Sequence, residues 1–381
     1  MKITDMNTMT VEVPMRRAHN TGVRATQRIF VIVRVQTDRN ITGYGEATVL
    51  KEWGGSHMRY YGESYRTVSH VIRDYLCPGL QGEDPFAIEN IHTRMDRIIK
   101  GHPYAKAAID MALYDIMGKA LNVPAYNLLG GLVRREVPLC HSIAFMLPEA
   151  AVAEARTVVE AGYRCIKIKV GLDPLRDVET VRQVREAVGP SVDLSIDGNQ
   201  CYPTPKTAVR ILKQMEPYNL LFAEQPVEGV DAMAAVAKSV DIPIMHDEGA
   251  WTPQDVLEIR DKGAGELISL YTTKPGGLFN AKKVAAVCEA AGFRCNVNGS
   301  LETGVGNAAN LHLAASTRVV SLPCVVPVTA VEGRYPIPFT YYLDDIVKDS
   351  FEYHNGALVV SDAPGLGIEL DEEKVEKYGV R

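Results

Sequence analysis

The sequence predicts an α/β protein built on a closed (β/α) barrel, with further structure at both ends. Three observations carry that expectation. From about residue 137 onward, short apolar β-branched runs alternate with amphipathic helical stretches. Eight such runs fit into about 195 residues, which suits a closed barrel better than an open sheet. The chain, at 381 residues, is too long for a bare barrel yet contains no linker to divide it.

The elements follow in order. MKITDMNTMTVEVPM alternates and carries acids, so it reads as a strand and not as a secretory leader. RIFVIVRVQTD (28–38) and ITGYGEA (41–47) are separated by a short turn and continue an antiparallel meander. Residues 60–130 read as helices. Ala105, Ala108, Ile109, Ala112, Leu113 and Ile116 recur at helical spacing, and Asn122-Val123-Pro124 marks the stop. The barrel runs are then VPLCHSIAF, RCIKIKVG, SVDLSIDGNQ, LLFAEQPV, IPIMHDEG, ELISLYTTKPGG, FRCNVNGSLETG and PCVVPVTAV. From about residue 345 the chain returns to turns and short strands, expected to pack back onto the N-terminal part.

Composition narrows the function classes. With 41 basic and 47 acidic side chains the net charge is −6, and no Lys/Arg block suggests a nucleic-acid partner. No apolar run approaches the roughly 20 residues that span a bilayer, so no membrane role is expected. Seven cysteines, odd in number and without a CxxC pair, read as reduced thiols of a cytoplasmic protein. Neither a dinucleotide fingerprint nor a phosphate loop follows any strand.

The chemistry collects at the C-terminal ends of the barrel strands, where such folds place reactive groups. The second strand ends in Lys167-Ile168-Lys169, whose two ammonium groups share one face. Mutual repulsion and burial are both expected to lower a lysine pKa toward that of a base. The third strand ends in Asp197-Gly198-Asn199, the fourth in Glu224 and the fifth in Asp247-Glu248. Three carboxylates in register suit a hard cation, Mg²⁺ before Mn²⁺. A cation beside lysines suits removal of a proton α to a carboxylate, because the developing charge needs a counter-ion.

The ordered set GYGEA, AAIDMALYDIMGKALNVPAYNLLGG, KIKVG, DGNQ, AEQP, IPIMHDEG, KPGG, GSLETGVG and PGLGIELD resembles the enolase superfamily. Within it, the chain resembles the mandelate racemase/muconate lactonizing enzyme family. That resemblance implies a (β/α)7β TIM-like barrel at 133–340, under an α+β capping domain formed by residues 1–132 and 341–381. It implies Lys169 as the general base and Lys167 as its supporting cation. Asp197, Glu224 and Asp247 match the metal ligands, with Glu248 the alternative at the fifth strand. Glu302 matches an acid that hydrogen-bonds the substrate carboxylate. Cap loops near 16–25 and 48–60 make Arg16, His19, Trp53 and His57 candidates for specificity, and Asn199 is a candidate substrate contact. Relatives are commonly dimers or octamers, so a homo-oligomer is expected.

Two departures stand out. Muconate-type racemases carry a second lysine three residues before the Lys of K-x-G-G; here that residue is Tyr271, before Lys274. The seventh strand also lacks the His of mandelate-type members, the nearest later one being His312. The site therefore holds one strong base. That favours a one-base β-elimination from a hydroxy or sugar acid. A cycloisomerase and then an epimerase using Tyr271 are the alternatives, and a non-catalytic binding homologue is the reading from a different class. His246, beside the fifth-strand ligand, is a candidate acid for a leaving hydroxyl. The eighth strand lacks an Asp to hold a substrate amine, which disfavours a dipeptide.

Overall fold

Three antiparallel strands open the chain in the computed structural model, which describes residues 1–15, 27–326 and 341–380. They are β1 (Ile3–Pro14), β2 (Gln27–Thr37) and β3 (Thr42–Thr48), in that spatial order. This is the expected meander. Alternation along β2 places Val31, Val33 and Val35 in one buried cluster and Phe30 and Ile32 in another. Helices α1 (Tyr65–His70), α2 (Cys77–Leu80), α3 (Ile88–Ile98), α4 (Pro103–Leu121) and α5 (Ala125–Leu128) follow.

Helix α4 lies on β3, and the GYG motif explains how closely. A Cβ at Gly43 would sit 2.2 Å from the Ala112 carbonyl oxygen, and one at Gly45 would sit 1.9 Å from that of Ala108. Only glycine admits that approach. The Ala-rich face of α4 supplies the complementary flatness. The helix ends where expected, with Asn122 in the left-handed conformation (φ +55°).

Strand β4 (Glu136–Pro138) precedes the barrel, which then alternates strand and helix: β5 (Cys140–Ile143), α6 (Pro148–Glu160), β6 (Cys165–Lys169), α7 (Pro174–Val188), β7 (Asp193–Asp197), α8 (Pro205–Met215), β8 (Leu220–Glu224), α9 (Val230–Ala237), β9 (Ile244–His246), α10 (Pro253–Lys262), β10 (Leu267–Leu270), α11 (Leu278–Ala291), β11 (Arg294–Val297) and α12 (Gly304–Ala315). Four helices begin on proline, where the missing N–H costs nothing. Asp173, Thr204 and Thr252 cap three of them.

Strands β5 to β11 pair consecutively and in parallel. Residues 324–325 supply the eighth stave. Cys324 bridges Leu139 on one edge, and Val325 bridges Asn298 on the other. The Cys140 amide donates to Cys324 at 2.8 Å, and the Val325 amide donates to Val297 at 3.0 Å, which closes the ring. The rest of the eighth run, where an amine-binding Asp is missing from the sequence, lies outside the described residues.

Strands β12 (Tyr353–His354) and β13 (Ala357–Val359) join β4 in a small antiparallel sheet, and α13 (Glu372–Lys377) ends the chain. Tyr342 bridges Met15 and Gly379 bridges Val11, so the C-terminal segment does run back to the first strand. His312 rivets these parts together. Its Nδ1 accepts from the Tyr126 amide at 3.2 Å, and its Nε2 donates to the Leu366 carbonyl at 3.1 Å. Among the described residues no helix is long and apolar enough to cross a membrane.

Candidate active site at the barrel mouth

Strand register assembles the site. Lys169 pairs with Asp197 across β6 and β7, and Asp197 with Glu224 across β7 and β8. Glu224 faces Met245 on β9, two residues before Asp247 and on the same face. Four consecutive strands thus deliver one lysine and three acids to one rim.

Their contacts form a single network. Lys169 Nζ donates to Asp197 Oδ2 and Asn199 Oδ1, both at 2.6 Å. Lys167 Nζ lies 2.9 Å from Asp197 Oδ2 and 3.0 Å from Glu224 Oε2. The other Glu224 oxygen accepts from Asn298 Nδ2 at 2.9 Å. Asp247 accepts from Lys274 Nζ at 2.9 Å and from the Tyr271 hydroxyl at 3.0 Å. Glu248 Oε1 accepts from Asn199 Nδ2 at 2.9 Å and from Trp53 Nε1 at 3.3 Å. Glu248 Oε2 is buried without a partner.

Electrostatics corrects one expectation. Burial does oppose the Lys167 charge, but Asp197, Glu224 and Asp247 outweigh it and hold the ammonium well above its usual pKa. Lys167 is therefore a permanent cation and not a tuned base. Lys167, together with Lys169, holds Asp197 below the carboxylate range against the pull of burial. Burial and then the Asp197 charge push Glu224 up. Burial, Asp247 and Asp197 push Glu248 up to about 8.

This donor set fits a divalent hard cation. Four buried carboxylates (Asp197, Glu224, Asp247, Glu248) face three lysines (Lys167, Lys169, Lys274), and burial, with the crowding of like charges, raises the pKa of Glu224 and Glu248. Each acid is turned onto a lysine, amide or hydroxyl partner. Among the described residues no three such side chains form a ready-made metal cage.

A cavity of about 360 Å³ opens above this network, between barrel and cap. Lys167, Lys169, Asp197, Asn199, Asp247, Glu248 and Tyr271 all line it. So does Trp53, which stacks on Trp251 at 5.2 Å and packs against Tyr271 at 5.3 Å. Tyr271 is on β10's C-terminal side, four strands from Lys169, and so faces it across the mouth. Burial and the Asp247 charge raise its phenol well above the usual pKa, which keeps it neutral.

Other candidates lie elsewhere. Glu302 folds back so that both carboxyl oxygens accept from the Ser300 amide at 2.8 Å, behind the cavity wall. His246 points away from the mouth, because adjacent strand residues face opposite sides; its Nε2 donates to the Ala264 carbonyl at 2.9 Å. It cannot protonate a leaving group there. His57 is exposed outside the cavity, with its amide on Glu228. Arg16 and His19 lie outside the described residues.

Sequence reasoning missed four members of the site. Lys274 served only as a landmark of the KPGG turn, yet it neutralises Asp247. Asn298 holds Glu224. Gln225 Oε1 accepts from the amides of Asp247 and Gly249, at 3.0 and 3.1 Å, and so fixes the fifth-strand turn. Arg28, from β2, lines the cavity from the cap side. For Gln225 the signal was present in the AEQP motif; for Arg28 nothing local distinguishes it from a surface arginine.

A family model described as mandelate racemase/muconate lactonizing enzyme, N-terminal domain, matches residues 3–130. A second, described as enolase C-terminal domain-like, matches residues 150–374. An N-succinyl-L-Arg/Lys racemase of Bacillus cereus is 33% identical, covering 100% of this chain and 98% of its own. Its crystal structure superposes with a TM-score of 0.91 at 31% identity, over 100% and 99% of the two chains. A muconate cycloisomerase of Rhodococcus opacus is 31% identical over 99% of this chain and 98% of its own. A dipeptide epimerase of Enterococcus faecalis, solved with Mg and the dipeptide L-Leu-L-Tyr, reaches a TM-score of 0.87 at 29% identity, covering 97% of this chain and 100% of its own.

Proposed function

This chain belongs to the mandelate racemase/muconate lactonizing enzyme family of the enolase superfamily, whose members named above are isomerases, and from that premise we propose a one-base reaction on a carboxylate substrate. The observation that carries it is the pairing across the mouth: an amine, Lys169, on one side and a neutral, Asp247-bound phenol, Tyr271, on the other. Inversion of a stereocentre calls for a base on each face of the planar intermediate. Among the described residues the two lysines that line this cavity, Lys167 and Lys169, both come from β6, so no lysine faces Lys169 from the opposite side.

Lys169 Nζ takes the α-proton, which leaves an enolate and an ammonium. Asn199 and Asp197 orient that amine. The ammonium then returns the proton, on the same face, to a β-hydroxyl. The C–O bond breaks, a carbon–carbon double bond forms and water leaves. Asp197, Glu224 and Asp247 would hold Mg²⁺, which when bound stabilises negative charge developing on the substrate carboxylate. Lys167 stays charged and adds to that stabilisation. The substrate class is therefore a hydroxy or sugar acid. A cycloisomerisation is the second reading, favoured by the muconate cycloisomerase relatives, and it uses the same single base. Seven cysteines without a disulfide among them suit a reducing cytoplasm.

The test is proton exchange in D₂O with Mg²⁺ and a panel of hydroxy acids, sugar acids and muconates, followed by NMR. Deuterium entry or water loss that vanishes in Lys169→Ala supports the reading. Accumulation of the inverted α-centre instead would identify a racemase and overturn it.

A further inference from the structure

Arg28 stands near the start of β2, and only 11% of its side chain is exposed. Among the described residues its one anionic neighbour is Glu52, 3.7 Å from Nη1, which is beyond hydrogen-bond distance. Its Nε is buried without a partner among the described residues. A guanidinium carries five donors and is charged at any physiological pH, so burial without acceptors is costly. The acids behind it do not relieve this. Glu302 directs both oxygens to the Ser300 amide, and Glu46 directs its oxygens to Thr48, Thr303 and Gly306.

The surrounding wall shows the same surplus of donors. Ser142 and Ser300 line the cavity with Arg28, and both hydroxyls are buried without partners. By contrast, the carboxylate–lysine network at the strand ends is internally paired apart from one oxygen of Glu248. The cavity wall thus carries two kinds of surface: the paired network on β6 to β9, and unpartnered donors on Arg28 of β2 and on Ser142 and Ser300 of the barrel.

We propose that Arg28 is a second anion subsite, which takes a carboxylate at the end of the substrate remote from the α-proton. The substrate is then a dicarboxylate, with its α-carboxylate beside Lys169 and its distal carboxylate bidentate on the guanidinium. Glu52, on the cap loop and about one-third exposed, is a loose placeholder that the entering carboxylate displaces. This inference rests on the reading of the cavity as a carboxylate site, and the experiment separates the two.

The Mg²⁺-loaded full chain is titrated calorimetrically with unbranched α,ω-dicarboxylates of three to eight carbons and with the matching monocarboxylates. At one chain length the dicarboxylate is expected to bind roughly ten- to a hundredfold tighter than its monocarboxylate, the strength of a charged hydrogen-bonded contact. Arg28→Gln should erase that preference while leaving monocarboxylate and Mg²⁺ binding unchanged. Glu52→Gln, which removes the competing anion and leaves Arg28 in place, should tighten dicarboxylate binding several-fold. Equal affinity for the two series in the unaltered protein, or a preference that survives Arg28→Gln, overturns the subsite. A preference that depends on Arg28, with no Lys169-dependent exchange in any acid, leaves the subsite standing and overturns the proposed chemistry instead.

Discussion

The Tyr271 hydroxyl donates to Asp247 Oδ2 at 3.0 Å, while Lys274 Nζ holds the other oxygen of the same carboxylate at 2.9 Å and sits 4.3 Å from the centre of the Tyr271 ring. Tyr271 is thus tied to the fifth-strand acid and to a cation that already serves that acid. Its place across the cavity is that of a second base, but its partners are those of a positioning group. If it only positions Asp247, Tyr271→Phe should keep Lys169-dependent exchange within about tenfold, a loss typical of one hydrogen bond. Tyr271→Lys should add epimerisation of the α-centre, detectable by chiral chromatography. A loss of general-acid size in Tyr271→Phe, about 10²-fold or more, would mark the phenol as a catalytic acid.

The fifth strand offers two adjacent acids with unequal surroundings. Both Asp247 oxygens are paired, whereas Glu248 keeps one buried oxygen without a partner. Asp247 shares the inward face of Met245 with the register that carries Glu224, which is the ground for proposing it as the third ligand. Asp247→Asn should weaken Mg²⁺ binding about 100-fold by calorimetry, and Glu248→Gln by less than tenfold. The reverse order would assign the ligand to Glu248.

Lys167 and Lys169 differ in what they hold. Lys167 is fully buried between Asp197 and Glu224, so Lys167→Met strips the counter-charge from both. Breaking such a pair costs about 3–5 kcal/mol, which urea unfolding of the metal-free protein should show. Lys169→Met, at the rim, should cost far less stability and yet reduce exchange by about 10³-fold. A stable Lys167→Met variant would contradict the electrostatic account of the network.

His312 supplies a pH dependence remote from the chemistry. Burial pulls its pKa down to about 4, against about 6.5 in an unfolded chain. Between those values the unfolded chain binds a proton that the folded chain refuses, so stability falls as pH drops from 6.5 toward 4. The full contribution is on the order of 3 kcal/mol. Gln can replace both hydrogen bonds without titrating, so His312→Gln should flatten the acid limb of stability measured by urea unfolding. His246, also pulled down to about 4 by burial, keeps its own share of that limb. An unchanged limb in the variant would remove His312 as its source.

Much of this architecture was legible because its signals are periodic and local. The β-branched runs, the Ala-rich stripe of α4 and the acids at the ends of β7, β8 and β9 each depend only on neighbours along the chain. Glycines 43 and 45 were quotable as a motif, but their reason, the carbonyls of Ala108 and Ala112 pressed against them, belongs to another element. Glu302 and His246 show the limit more sharply. His246 ends β9 and Glu302 lies in the loop after β11, yet one turns outward and the other folds onto a backbone amide.

The sequence by itself determined the barrel, the order of its strands and the identity of the lysines and acids at its mouth, because side-chain alternation and strand length are properties of the chain. Tertiary structure alone decided their partners. Whether Lys167 is a tuned base or a fixed cation depends on Asp197 and Glu224, which stand 30 and 57 residues away in sequence. Whether Arg28 is a surface charge or a buried one depends on the lid that both ends of the chain build over the barrel. Charge interactions fall off with distance in space, not along the sequence, and burial decides how strongly they act.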